Sequence, residues 1–136
     1  MVSVNSVKVD ITTAEQASAA RRLVQDWATK LGFSAIDKTK FVTAASELAR
    51  NTLVHGGGGY MDLTECNVNG RIGLQAVFQD SGRGIANIDQ ALEDGYSTAK
   101  SLGLGLGGAK RLVNEFSIRS EVGVGTTVSI TQWKRR

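Results

Sequence analysis

The chain has 136 residues, enough for one domain around one core. Hydrophobic residues make up 41% and charged residues 21%, which excludes a disordered chain, and no apolar run reaches the roughly 20 residues of a membrane span. The net charge of +3 is carried by the terminal Lys134, Arg135 and Arg136; elsewhere basic and acidic residues balance at 13 each, so no nucleic-acid face is expected.

Met1–Asn5 has neither the basic segment nor the apolar stretch of a signal peptide, and Cys66 has no companion for a disulfide, so a reducing, cytoplasmic setting is expected. Cys66 reads as a structural thiol on a strand. One histidine, His55, rules out a site built from several; as a residue following a helix it reads as a surface or capping side chain.

In chain order, Val2, Val4, Val7, Val9 and Ile11 alternate with polar residues and predict a strand with a break near Asn5. Thr12 or Thr13 can cap a helix carrying Ala17, Ala20, Leu23, Val24, Trp27, Ala28 and Leu31, which Gly32 ends. Ser34 or Asp37 opens a second helix with Phe41, Ala44, Ala45 and Leu48, lasting until Gly56. Strands are predicted over Tyr60–Asn67 and Arg71–Gln79, with Asn69-Gly70 as the hairpin turn. Asp80 to Ser101 is irregular, with a short helix near Asn87–Glu93. A helix over Leu104–Glu115, with Phe116 on its apolar face, is followed by strands Ser117–Val122 and Thr126–Gln132. Residues 1–136 therefore form a single domain of α/β class: a two-layer sandwich of a mixed, largely antiparallel sheet with helices on one face.

Four segments carry chemistry. On the second helix, Glu47 and Asn51 lie one turn apart at the rim of the apolar stripe, where a carboxylate beside an amide suits a hydrated Mg²⁺; a solvated helix face is the plainer alternative. Asp80-Ser81-Gly82-Arg83-Gly84 follows a strand, and its aspartate can accept from an exocyclic amine or simply close an Asx turn. Leu102 to Lys110 holds glycines at a helix opening, suited to phosphate or to a hinge; it matches neither a Walker loop nor a Rossmann unit. Gly123-Val124-Gly125-Thr126-Thr127 is a hairpin turn.

Their order, Glu-x-x-x-Asn, Asp-x-Gly-x-Gly, Gly-x-Gly-x-Gly and Gly-x-Gly-Thr across residues 47–127, resembles the N, G1, G2 and G3 boxes of the GHKL (Bergerat-fold) ATP-binding superfamily. The resemblance implies ATP and Mg²⁺ as cofactors. It makes Asn51 the metal ligand and Asp80 the adenine anchor, with Gly82 and Gly84 lining the base. Gly103, Gly105 and Gly107 would wrap the phosphates, and Thr127 would face the adenine.

A chain of this size has no room for the dimerisation and phosphoacceptor helices of a complete histidine kinase. It is similar instead to the switch and anti-sigma kinases of bacterial partner-switching systems. The segments Ser46–Asn51, Glu93–Thr98 and Gly105–Leu112 place it nearest the stressosome switch kinases. That resemblance implies phosphorylation of serine or threonine on STAS-domain proteins, then release to activate a PP2C-type phosphatase, with no nucleic acid or membrane involved. The alternative it leaves is an anti-sigma factor that sequesters a sigma factor. Glu47 is placed as general base, one turn from the metal ligand. The related anti-sigma kinases carry an arginine just before the G2 glycines where this chain has Lys100-Ser101-Leu102, so Lys100 is the cation chosen for the transferred phosphoryl group, with Arg50 and Arg83 as alternatives. Residues 87–102 are expected to act as a lid, and Tyr96, Lys110 and Arg111 to hold a partner.

Overall fold

The computed structural model describes residues 2–93 and 105–135. Its elements are β1 (Val2–Ile11), α1 (Ala14–Leu31), α2 (Ala35–Val54), β2 (Gly59–Val68), β3 (Arg71–Asp80), α3 (Ile88–Ala91), α4 (Gly105–Arg111), β4 (Glu115–Glu121) and β5 (Gly125–Trp133).

Local chemistry sets the helix ends. The Thr13 hydroxyl accepts the N–H of Gln16 at the start of α1, and Gly32 closes that helix in the left-handed region at φ 83°. Ser34 caps α2 by accepting from Asp37 N, and Asn87 caps α3 by accepting from Gln90 N. Asn69 and Gly70 both take positive φ, 53° and 80°, which is the turn that lets β2 and β3 pair without splaying. The break expected near Asn5 is a register shift in the β1–β2 pairing between Ser3 and Asn5.

The five strands run in the order β1-β2-β3-β5-β4, and all four pairings are antiparallel. The last strand in the chain is thus inserted between β3 and β4. Strand alternation puts Met61, Leu63, Leu74, Ala76, Phe78, Val128 and Ile130 on the face that packs against α1 and α2, where Val24, Ala28, Phe41, Ala45 and Leu48 complete the core. Cys66 is buried on β2; burial pushes its thiol pKa up, with Glu115 and Glu65 adding to the effect, so the thiol stays neutral and inert.

One predicted element is corrected. The helix expected over Leu104–Glu115 ends at Arg111, and β4 begins at Glu115, so Phe116 is a strand residue paired with Ile130. Glycine-rich sequence holds a helix weakly, and the period-two pattern of Phe116 and Ile118 prevails. Asn114 seals the junction: its N–H reaches Gln132 Oε1 at 2.9 Å and its Oδ1 accepts from Trp133 N at 2.7 Å.

Candidate nucleotide-binding site

A cavity of about 430 Å³ opens between the C-terminal half of α2, the ends of β3 and β5, α3 and α4. That volume suits a small organic ligand. Its floor is apolar, with Leu48, Phe78, Ile85, Ala91, Leu106 and Val128. Its polar groups are Asn51, Thr52, His55, Asp80, Arg83, Asn87, Gln90 and Thr126.

Asp80 is the best-defined of these. It ends β3, pairs with Thr126 of β5 and with Gly59 of β2, and keeps the same face as Phe78. Its Oδ1 accepts two backbone N–H groups, from Gly82 at 2.9 Å and from Thr126 at 3.2 Å. Thr126 lies 46 residues away in sequence and arrives only because β5 is threaded next to β3. Both bonds fall on one oxygen. Oδ2 has no partner among the described residues and borders Gly56, where an added Cβ would stand 2.5 Å from it. Glycine at 56 therefore keeps the second oxygen clear. The carboxylate is held rigidly by one atom and presents the other as an acceptor, which fits an amino group in an apolar slot.

The loop after Asp80 is clamped to the β4–β5 hairpin. Gly84 has φ +78°, and a side chain there would drive into the Glu121 carbonyl. Gly123 N donates to Arg83 O at 2.9 Å, and Ile85 N to Ser120 Oγ at 2.7 Å. Gly84 and Arg83 line the cavity, whereas Gly82 packs against the Gly56 backbone.

The structure brings Asn51, Asp80 and Gly84 together around this cavity. Glu47 is buried on α2, 8% exposed and one turn before Asn51, and is not among the residues lining it. Gly105 and Gly107 are buried in α4, and Gly107 abuts the Leu92 carbonyl. Thr127 lies on the opposite face of β5 from Val128; the threonine at the cavity is Thr126. Strand parity carried that signal, since Val128 and Ile130 are apolar and Thr126 shares their side. His55, Gly56, Asn87 and Gln90 also contribute and have no comparable sequence signature. Lys110 and Arg111 are exposed at the end of α4. Lys100, Gly103, Tyr96 and residues 94–102 of the expected lid lie outside the described residues; its first part, Asn87–Ala91, is the cap and turn of α3.

Among the described residues no helix is long and apolar enough to cross a membrane. Residues 12–132 match the histidine kinase-like ATPase domain family. The chain is 41% identical over 127 residues to the serine/threonine-protein kinase RsbT of Bacillus subtilis (strain 168), covering 93% of this chain and 96% of that one. It is 29% identical over 128 residues to the anti-sigma F factor of Clostridium kluyveri, covering 90% and 89%. A crystal structure of RsbU and RsbW domains from Mycobacterium tuberculosis superposes on 98% of the chain with a TM-score of 0.65 at 22% identity; the chain spans about a third (34%) of that structure's length and shares its fold. The split carboxylate at the end of an apolar cavity, the sheet order that builds it and the match over residues 12–132 converge on one conclusion: the chain belongs to the histidine kinase-like ATPase family.

Proposed function

We propose that this protein binds Mg-ATP in the Asp80 cavity and transfers its γ-phosphate to a serine or threonine of a STAS-domain protein in a partner-switching pathway. On release from that protein it would activate a PP2C-type phosphatase. The observation that carries the reading is the Asp80 carboxylate, tied by Oδ1 to Gly82 and Thr126 and open at Oδ2 beside an apolar slot. Adenine offers the matching features, a flat apolar ring and an amino donor on its edge. The likeness to RsbT over nearly the whole of both chains supports the kinase assignment.

The residues take these roles. Asp80 accepts from the adenine amino group. Thr126, rather than Thr127, stands beside it. Gly84 lines the base, and the glycines of the third box, Gly103, Gly105 and Gly107, are assigned to the phosphates by the family pattern. Asn51 offers its amide oxygen to magnesium. A magnesium ion held through one protein oxygen would keep room for phosphate oxygens and water. Bound magnesium would spread the negative charge of the transferred phosphoryl group. Glu47, shielded from bulk water one turn away, takes the proton of the acceptor hydroxyl. Lys100 supplies the further cation.

The test is incubation with γ-labelled ATP and a STAS-domain protein encoded beside this one. Label should move to the partner. Glu47→Ala should still bind Mg-ATP yet lose transfer by about 10²–10⁴-fold, the usual contribution of a general base. The likeness to anti-sigma F factors supports one competing reading. Sigma-factor binding without transfer to any STAS partner would establish it.

A further inference from the structure

The solvent face of α2 carries a pattern that the nucleotide site does not use. Ile36, Lys40, Thr43, Glu47, Arg50 and Val54 follow one another at steps of four and three residues, so they form one stripe along the helix. Ile36 is 63% exposed and Val54 59%. Exposed apolar side chains are ordinary when scattered, but these two close the ends of one stripe, about 27 Å apart. Lys40 and Thr43 are exposed and Arg50 is half-buried, while Glu47 is recessed between them. Leu48, Asn51, Thr52 and His55 of the same helix line the cavity. Glu47 therefore stands on the boundary between the cavity wall and the open stripe.

Charge decides what the stripe can hold. The two acids of α2, Asp37 and Glu47, are both buried. Lys38 turns aside to Thr29 of α1. Lys40 and Arg50 make no ion pair among the described residues, so a positive charge is left on each side of Glu47. A second copy of the chain is a poor occupant. In an antiparallel pair centred on the stripe, Ile36 would meet Val54, but Lys40 would meet Arg50 twice; in a parallel pair each cation would meet its own copy. The complement is an acidic surface with apolar side chains at both ends.

We propose that this stripe is the docking surface for the phosphoacceptor protein, which lays an acidic face along α2, seats apolar side chains on Ile36 and Val54 and so brings its hydroxyl to Glu47. The inference rests on the kinase reading and adds where the acceptor is held. The nucleotide lies on the cavity side of α2 and the acceptor on the solvent side, with Glu47 between them. Lys40 and Arg50 attract the acceptor's acids and fix its register, while the apolar ends supply most of the affinity. Ile36 and Lys40 touch no nucleotide in this scheme.

The experiment is steady-state transfer of label from γ-labelled ATP by the full chain, with the concentration of a STAS-domain acceptor varied. Lys40→Glu and Ile36→Asp should each raise KM for the acceptor about tenfold or more, with kcat changed by less than about twofold. Their affinity for Mg-ADP by calorimetry should stay within about twofold of the unmodified protein, which also shows that they fold. Arg119→Glu makes the same charge reversal on the far face of the sheet and should leave acceptor KM unchanged. An equal rise of KM in Arg119→Glu overturns the proposal, because net charge and not the stripe would then govern binding. Loss of self-association in the α2 variants by sedimentation, with acceptor KM unchanged, also overturns it and makes the stripe an interface between copies. If the unmodified protein transfers no label to any STAS-domain acceptor, the kinase reading falls and this inference with it. Transfer by the unmodified protein with acceptor KM unchanged in both α2 variants removes the docking surface alone.

Discussion

Two inward-facing aspartates, one near each end of α2, are built in opposite ways. Asp37, in the first turn, is 5% exposed and uses both oxygens on one partner: Arg135 Nε meets Oδ2 at 2.7 Å and Nη2 meets Oδ1 at 2.9 Å. Gln132 Nε2 adds a contact to the Asp37 carbonyl at 3.4 Å. Asp80, beside the last turn of α2, uses one oxygen for two backbone donors and leaves the other at the cavity. A carboxylate satisfied on both sides is a fastener. One satisfied on a single side is a fixed acceptor awaiting a donor. The contrast separates structure from function better than burial does, because the more buried of the two is the structural one.

The same substitution should therefore have opposite consequences at the two positions. Asp80→Asn carries the largest expected effect on binding. Gly82 N and Thr126 N oblige the new amide to turn its oxygen toward them, which places Nδ2 where Oδ2 was. Two donors then face the ligand's donor. ADP affinity should fall about 10–100-fold, matching roughly 1.5–3 kcal/mol for a charged hydrogen bond, with unfolding by heat or urea little changed. Wild-type affinity measured by calorimetry in a folded Asp80→Asn protein would remove the anchor.

Asp37→Asn should act on stability instead. Its amide cannot accept both Arg135 donors, so the tie between the C-terminal segment and α2 is lost. Since the Arg135 side chain is 70% exposed, solvent screens the pair and the cost should be about 1–2 kcal/mol in urea unfolding. ADP affinity should stay within about twofold of the unmodified protein, because the cavity contacts are untouched. An affinity loss as large as that of Asp80→Asn would show that the two ends of α2 are coupled and would dissolve the contrast.

Much of this was legible in the amino-acid sequence because it is local. Thr13, Ser34 and Asn87 announce helix starts, Gly32 a helix end and Asn69-Gly70 a hairpin, since each acts through bonds a few residues long. The order of the four boxes placed Asn51, Asp80 and Gly84 on one site. Long-range pairing was not legible. Nothing in the chain states that β5 slips between β3 and β4, yet that insertion delivers Thr126 to Asp80. The Asp37–Arg135 pair spans 98 residues and has no motif. The shortness of α4 is not legible because Leu112, Val113 and Phe116 suit a helix period as well as the turn and strand that they form.

The Asp80 anchor is tested most directly by a ¹⁵N amide titration of the full chain with Mg-ADP. The largest shifts are expected at Gly82 and Thr126, whose N–H groups hold Asp80, and from Leu48 in the last turns of α2 to Gly56 just beyond it, with Asp37, Gln132 and Arg135 unmoved. Shifts centred on the Asp37 clamp, or saturation by nucleotide with Gly82 and Thr126 unchanged, would contradict it.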